Sequence, residues 1–115
     1  MKETMALLKV PFESSIGPTK QWVDFARVFK RELKAELDRD VKVKEFEFSR
    51  GHFYCSGFFR TLDDRVFYWS ISDVRYFTID EMLIRTARSF KDYTGGRNCF
   101  IKLKPDMFKF CDLPR

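Results

Sequence analysis

A chain with one histidine and three cysteines has few ways to assemble a nucleophile. His52 and Cys55 lie three residues apart in a segment that reads as a strand, where successive side chains alternate faces. They therefore point to opposite sides and do not come within the hydrogen-bond reach that a nucleophile and its base require. Cys55, Cys99 and Cys111 share no C-x-x-C spacing and, with a single histidine, form no zinc-like set, so structural, reduced thiols are expected. Carboxylates pair at Asp38 with Asp40 and at Asp63 with Asp64. Such pairs can hold a divalent cation or serve as acid and base, but at turns and helix ends Asp is favoured for bonding to its own backbone. Asp73 and Arg75 follow an apolar strand and read as an internal ion pair, or as a pair that orients a ligand. The remaining cluster is Asp92-Tyr93-Thr94-Gly95-Gly96 beside Arg85, Arg88, Lys91 and Arg97. Paired glycines release backbone amides that, with cations around them, can hold a phosphate; no Lys-Ser or Lys-Thr follows at Walker spacing. These sets predict a basic contact surface and no enzyme, with no catalytic residue, no metal and no cofactor.

The element that must carry such a surface is an aromatic sheet. Phe46, Phe48, Phe53, Tyr54, Phe58, Phe59, Phe67, Tyr68, Trp69, Tyr76 and Phe77 fall within a little over a quarter of the chain, interleaved with Arg and short polar residues. A sheet in a small domain buries one face under a helix, so aromatics on the second face must stay wet, contact further chain or meet a partner. On a strand from His52 to Thr61, Phe53, Cys55, Gly57 and Phe59 oppose Tyr54, Ser56, Phe58 and Arg60. On the next, Arg65 to Ser72, Phe67, Trp69 and Ile71 oppose Val66, Tyr68 and Ser70. Phe53, Phe59, Phe67, Trp69 and Ile71 are expected inward, with Tyr54, Arg60 and Tyr68 toward solvent or a partner.

The covering helix is legible upstream. Trp22, Phe25, Ala26, Phe29, Leu33 and Leu37 recur at helical spacing from Thr19 onward, with Lys20, Asp24, Arg27, Lys30, Arg31, Lys34 and Arg39 on the other sides. Met5 to Phe12 reads as an edge strand or packed arm, stopped by Pro11 and the Ser14-to-Pro18 cluster. Val41 and Val43, then Phe46 and Phe48, alternate out of phase, which predicts a bulge near Lys44. Ser49-Arg50-Gly51 and Leu62-Asp63-Asp64 are turns of a three-strand meander. Over 79–89 two readings compete: Thr78 and Glu81 form a capping box for a helix through Ser89, the preferred reading, while Leu83 to Ala87 also alternate as a strand. A last strand, Asn98 to Leu103, and a helical turn over Pro105 to Phe110 complete a single α+β domain, residues 1–115: a long N-terminal helix on an antiparallel meander, with a second helix or strand before the final strand.

The charge is lopsided. Of the net +5, residues 82–115 supply the whole excess, eight basic residues against Asp92, Asp106 and Asp112. This draws a polyanion or an acidic protein surface. Met1 to Val10 lacks the apolar core of a secretory signal, and no run approaches the about 18 apolar residues of a spanning helix, so a soluble cytoplasmic protein with no membrane partner is expected.

Two resemblances bear on function. Arg50-Gly51-His52-Phe53-Tyr54-Cys55 resembles the start of the RNA-recognition-motif signature at Arg50, Gly51 and Tyr54. It departs at His52, Phe53 and Gly57, and a third strand follows directly where that fold places a helix. A more extended resemblance is to small proteins of phages and mobile elements of Gram-positive bacteria. It rests on Gly51-His52-Phe53-Tyr54-Cys55-Ser56-Gly57-Phe58, Ser70-Ile71-Ser72-Asp73-Val74-Arg75, Ile84-Arg85-Thr86-Ala87 and Lys91-Asp92-Tyr93-Thr94-Gly95-Gly96. That group includes anti-CRISPR-type inhibitors, so the resemblance implies a stoichiometric inhibitor of a bacterial CRISPR effector or other DNA-processing defence protein, and it supplies no catalytic residues. Tyr54, Tyr68 and Tyr76 are then the expected aromatic anchors, and Arg60, Arg75, Arg85, Arg88 and Arg97 the charge-assisted donors. The alternative is single-stranded nucleic-acid binding, with the same tyrosines stacking on bases and the same arginines on phosphates.

Overall fold

The computed structural model describes residues 1–13, 19–51, 53–76 and 79–115, and in them a short helix α1 (Lys2–Leu8) precedes a long one, α2 (Lys20–Glu36). The Thr19 hydroxyl accepts the Trp22 N–H at 3.1 Å, so one of the free amides that open a helix is satisfied by the residue the sequence placed there. Trp22, Phe25, Ala26, Phe29, Leu33 and Leu37 form the buried stripe. A π-helical turn over Leu37–Val41 ends the helix, and Lys42 takes a left-handed conformation with its N–H on the Leu37 carbonyl at 2.8 Å.

Six strands follow: β1 (Val43–Phe46), β2 (Ser49–Arg50), β3 (Cys55–Thr61), β4 (Val66–Ile71), β5 (Glu81–Ala87) and β6 (Cys99–Lys102). They make one antiparallel sheet in the order β1-β3-β4-β5-β6, with β2 also paired to β3. The pairing of β1 with β3 slips between Val43 and Glu45, the bulge that the phase shift predicted. In register, Gly57 faces Trp69, Phe59 faces Phe67, and Trp69 faces Ile84, so these residues share the face beneath α2. Phe29 meets the Trp69 ring edge-on at 5.9 Å, and Phe46 stacks on it at 6.2 Å. Full burial of a side chain such as Phe29 stabilises the fold by about 1.5–3 kcal/mol relative to exposure, while Phe46 is half-buried. Gly57 is required here: a Cβ would lie 1.9 Å from the Glu47 carbonyl oxygen and 3.1 Å from the Trp69 ring.

Three expectations are corrected. Of Met5 to Phe12, read as an edge strand or packed arm, no part is strand: Met5–Leu8 belong to helix α1, where Glu, Met, Ala and Leu favour helix. The segment is packed, docking on α2 through the Thr4 N–H and hydroxyl, both donated to Glu32 Oε1 at 2.7 and 2.6 Å, and through Phe12 against Trp22 and Phe25. The helix preferred over 79–89 is strand β5. Its alternation sends Met82 and Ile84 into the core, and it is hydrogen-bonded by β4 on one side and β6 on the other, a tertiary gain that outweighs local helix signals. Thr78 of the capping box lies outside the described residues. Pro105 to Phe110 form hydrogen-bonded turns that bury Met107 and Phe108, without a helix.

Candidate functional site

The second face of the sheet is the place to look for a binding surface, and much of it is covered by the chain itself. The connection from β5 to β6 folds back across it. Phe58, on that face, stacks on Phe90 at 5.5 Å and meets Tyr93 edge-on at 5.3 Å; Tyr93 also lies 6.1 Å from Tyr68. The Arg85 guanidinium lies over Tyr68 at 4.4 Å, and that of Arg60 over Phe90 at 5.6 Å. Of the three fates open to the surplus aromatics, contact with further chain accounts for Phe58 and Tyr68.

Asp92 holds this cover in place. Its carboxylate accepts the N–H groups of Arg88 at 2.9 Å, Thr94 at 3.2 Å and Gly95 at 2.9 Å. Those amides, Arg88 first, hold its carboxyl down at about 2. Of the two glycine amides expected to face a phosphate, that of Gly95 is thus taken by a carboxylate of the same loop. Gly96 closes the turn at φ +75°, with a virtual Cβ 2.4 Å from the Thr86 carbonyl oxygen, so both its handedness and the close approach demand glycine.

The eight expected contact residues fall into three groups. Tyr54, Arg75 and Tyr76 gather where β3 begins and β4 ends. Phe53 adopts a positive φ of 63° there, a conformation costing about 1–3 kcal/mol in a residue other than glycine. Burial against Trp22 at 5.4 Å and the Val74 N–H on its carbonyl at 3.0 Å hold it, and they direct Tyr54 outward over Gly51. The Arg75 guanidinium lies between the Phe53 and Tyr76 rings, 4.1 and 4.7 Å away, and donates to Asp73 at 2.8 Å. It is an internal pair, while Tyr54 and Tyr76 stay exposed. Arg60, Tyr68 and Arg85 form the second group, on the covered face; Arg60 is paired with Glu45 at 2.8 Å. Arg85, only 5% exposed, donates to the Asp92 carbonyl at 3.2 Å, and its Nη1 has no hydrogen-bond partner among the described residues. Arg88 and Arg97 form the third group, exposed at the opposite end of the sheet from Tyr54. No single surface unites all eight.

Among the described residues, Cys55 and the paired acids are engaged by the fold itself. His52 lies outside the described residues. Cys55 is wholly buried, and burial pushes its thiol up to about 12, so no thiolate is present near neutrality. Asp63 accepts the Thr61 hydroxyl, and Asp64 pairs with Lys44. Glu36, Asp40 and Asp106 bring carboxylate oxygens within 4.8 Å of one another. Arg39 Nη2 lies 2.6 Å from both Asp40 and Asp106, and Glu36 accepts the Met1 ammonium at 2.6 Å and the Met107 N–H at 3.1 Å, so each of the three carboxylates is already engaged by another group of the chain.

Of those eight, Arg97 continues into an open surface made with residues outside the set. Phe100 is 61% exposed on β6, and Lys102 and Lys104 are exposed with Arg97 along the same segment. The alternation of Phe100 and Lys102 against Ile101 and Leu103 was a usable signal for this face. Among the described residues, no helix is long and apolar enough to cross a membrane. No family model, curated protein or solved structure matches the chain.

Proposed function

We propose that the chain acts by binding rather than turnover, as a stoichiometric inhibitor of a bacterial nucleic-acid-guided or DNA-processing defence enzyme, similar to an anti-CRISPR protein. The observation that carries a binding role is the basic rim at β6, where Phe100 is exposed beside Arg97, Lys102 and Lys104, none of them in an ion pair among the described residues. Exposed aromatic and unpaired cationic groups together are what a partner surface needs at its centre and rim. The class of partner rests on the resemblance of four segments within residues 51–96 to small mobile-element proteins.

The test is capture of partners by the tagged chain from a Gram-positive lysate containing a CRISPR effector, with and without nuclease treatment, followed by titration into that effector's target-cleavage assay. Nuclease-resistant capture and inhibition that saturates at equimolar ratio are the expected results. Recovery of nucleic acid alone, lost on nuclease treatment and weakening steeply with salt, overturns the inhibitor reading in favour of single-stranded nucleic-acid binding. That alternative has lost part of its stacking platform, because Tyr68 and Phe58 lie under Tyr93 and Phe90, and it retains Tyr54 and Tyr76.

A further inference from the structure

Strand β6 ends the sheet and pairs with β5 alone among the described residues. The Leu103 N–H donates to the Asp80 carbonyl at 2.8 Å. In an antiparallel ladder the direction of the main-chain groups alternates, so those of Cys99 and Ile101 also face β5, and those of Phe100 and Lys102 face away from the sheet. An unpaired row of this kind is a template for another strand. Beside it lies a groove of about 610 Å³, lined by Arg97, Asn98, Cys99 and Phe100 with Pro114 and Arg115, and with Glu81 its one acid. Residues 97–104 carry Arg97, Lys102 and Lys104 and no acid. Lys102 stands opposite Glu81 in register yet forms no ion pair with it.

We propose that this edge docks an extended acidic segment of a partner protein as an added strand of the sheet. The main-chain groups of Phe100 and Lys102 supply the hydrogen bonds, Lys102 and Lys104 select acidic side chains at alternate positions, the Phe100 ring on the same face packs on the apolar stem of one of them, and Arg97 adds charge where the strand begins. A second copy of the chain fits poorly, since it would set Arg97, Lys102 and Lys104 of both copies together; lysine on an edge strand works against such self-pairing. Nucleic acid would satisfy the cations and leave the amide row unpaired. The inference rests on the binding role proposed above.

The test uses the isotope-labelled full chain and a blocked peptide of about eight residues, a common strand length, alternating valine with glutamate. A counterpart alternating valine with lysine, and two forms of the acidic peptide N-methylated on one or the other alternate set of amides, complete the series. The expected result is saturable binding of the acidic peptide, with the largest amide shifts at Phe100 and Lys102 and none with the lysine peptide. One methylated form weakens at least about tenfold, from lost main-chain hydrogen bonds, and the other binds as the parent. On the protein side, Phe100→Ala and Lys104→Glu weaken binding without lowering the melting temperature, because both side chains are exposed. Equal binding of the two methylated forms reduces the edge to a charged patch and overturns the proposal, as do shifts elsewhere, absence of saturable binding, or dimerisation of the chain through β6. If the peptide series fails while the chain still inhibits its enzyme, the edge is withdrawn and the inhibitor reading stands; if the peptide docks while no enzyme is inhibited, the reverse holds.

Discussion

Asp92 shows how one side chain can decide whether a face is open or closed. Its carboxylate organises the loop that lays Phe90 and Tyr93 over Phe58 and Tyr68, and three backbone amides hold it ionised. A carboxyl held down in the folded state stabilises the fold above its ordinary value near about 3.9, and that contribution is lost as pH falls through about 2. Asp92→Asn is therefore expected to lower the melting temperature at neutral pH, with the gap to the parent closing between about pH 4 and pH 2; a constant gap across that range would remove the carboxylate charge from the account. The thiols give a second prediction. Cys55 is buried and protonated, whereas Cys99 and Cys111 are half-buried, so a thiol reagent should label two cysteines of the native chain quickly and the third only on unfolding. Raising pH above about 9 favours the unfolded state at Cys55, since the thiolate forms more readily there than in the core.

At the scale of elements, the segment between β1 and β2 runs alongside β3 and leaves no room for a side chain at Gly57. The Glu47 carbonyl and the Trp69 ring both press on Gly57, and the Glu47 N–H donates to the Phe58 carbonyl at 2.7 Å. Gly57→Ala is expected to destabilise the chain by about 1–3 kcal/mol, the range for overpacking a filled core, measured by urea unfolding. An unchanged midpoint would mean that the 47–58 contact yields without cost. Helix α2, read from Thr19 onward, and the bulge before Glu45 were readable because each is a local pattern that the residues themselves specify. Helix α1 and strand β5 were not. A short apolar run such as Met5 to Leu8 carries no decisive period, and 81–87 alternates well enough for a strand while its flanks read as a helix start. Pairing with β4 and β6 on either side made the choice.

Over the whole molecule the positive excess lies in the last third, and the fold sets part of it along the edge of the sheet. If that edge meets an acidic partner, raising ionic strength from about 0.05 M to about 0.5 M should slow association and leave dissociation nearly unchanged, as seen for rim charges that steer encounter. Stopped-flow or biosensor kinetics on the purified pair would measure both; a dissociation rate that rises with salt in step would assign the cations to the centre of the interface instead. By itself the sequence determined the α+β class, the helix stripe, the meander and the sign and location of the charge, because periodicity, turn chemistry and composition act over a few residues. Only the tertiary structure decided which aromatic face is open. Phe90 meets Phe58, and Tyr93 meets Phe58 and Tyr68, across 25 or more positions of sequence, and a contact between residues so far apart depends on how the sheet and its loop fold back on each other, not on the pattern of either segment.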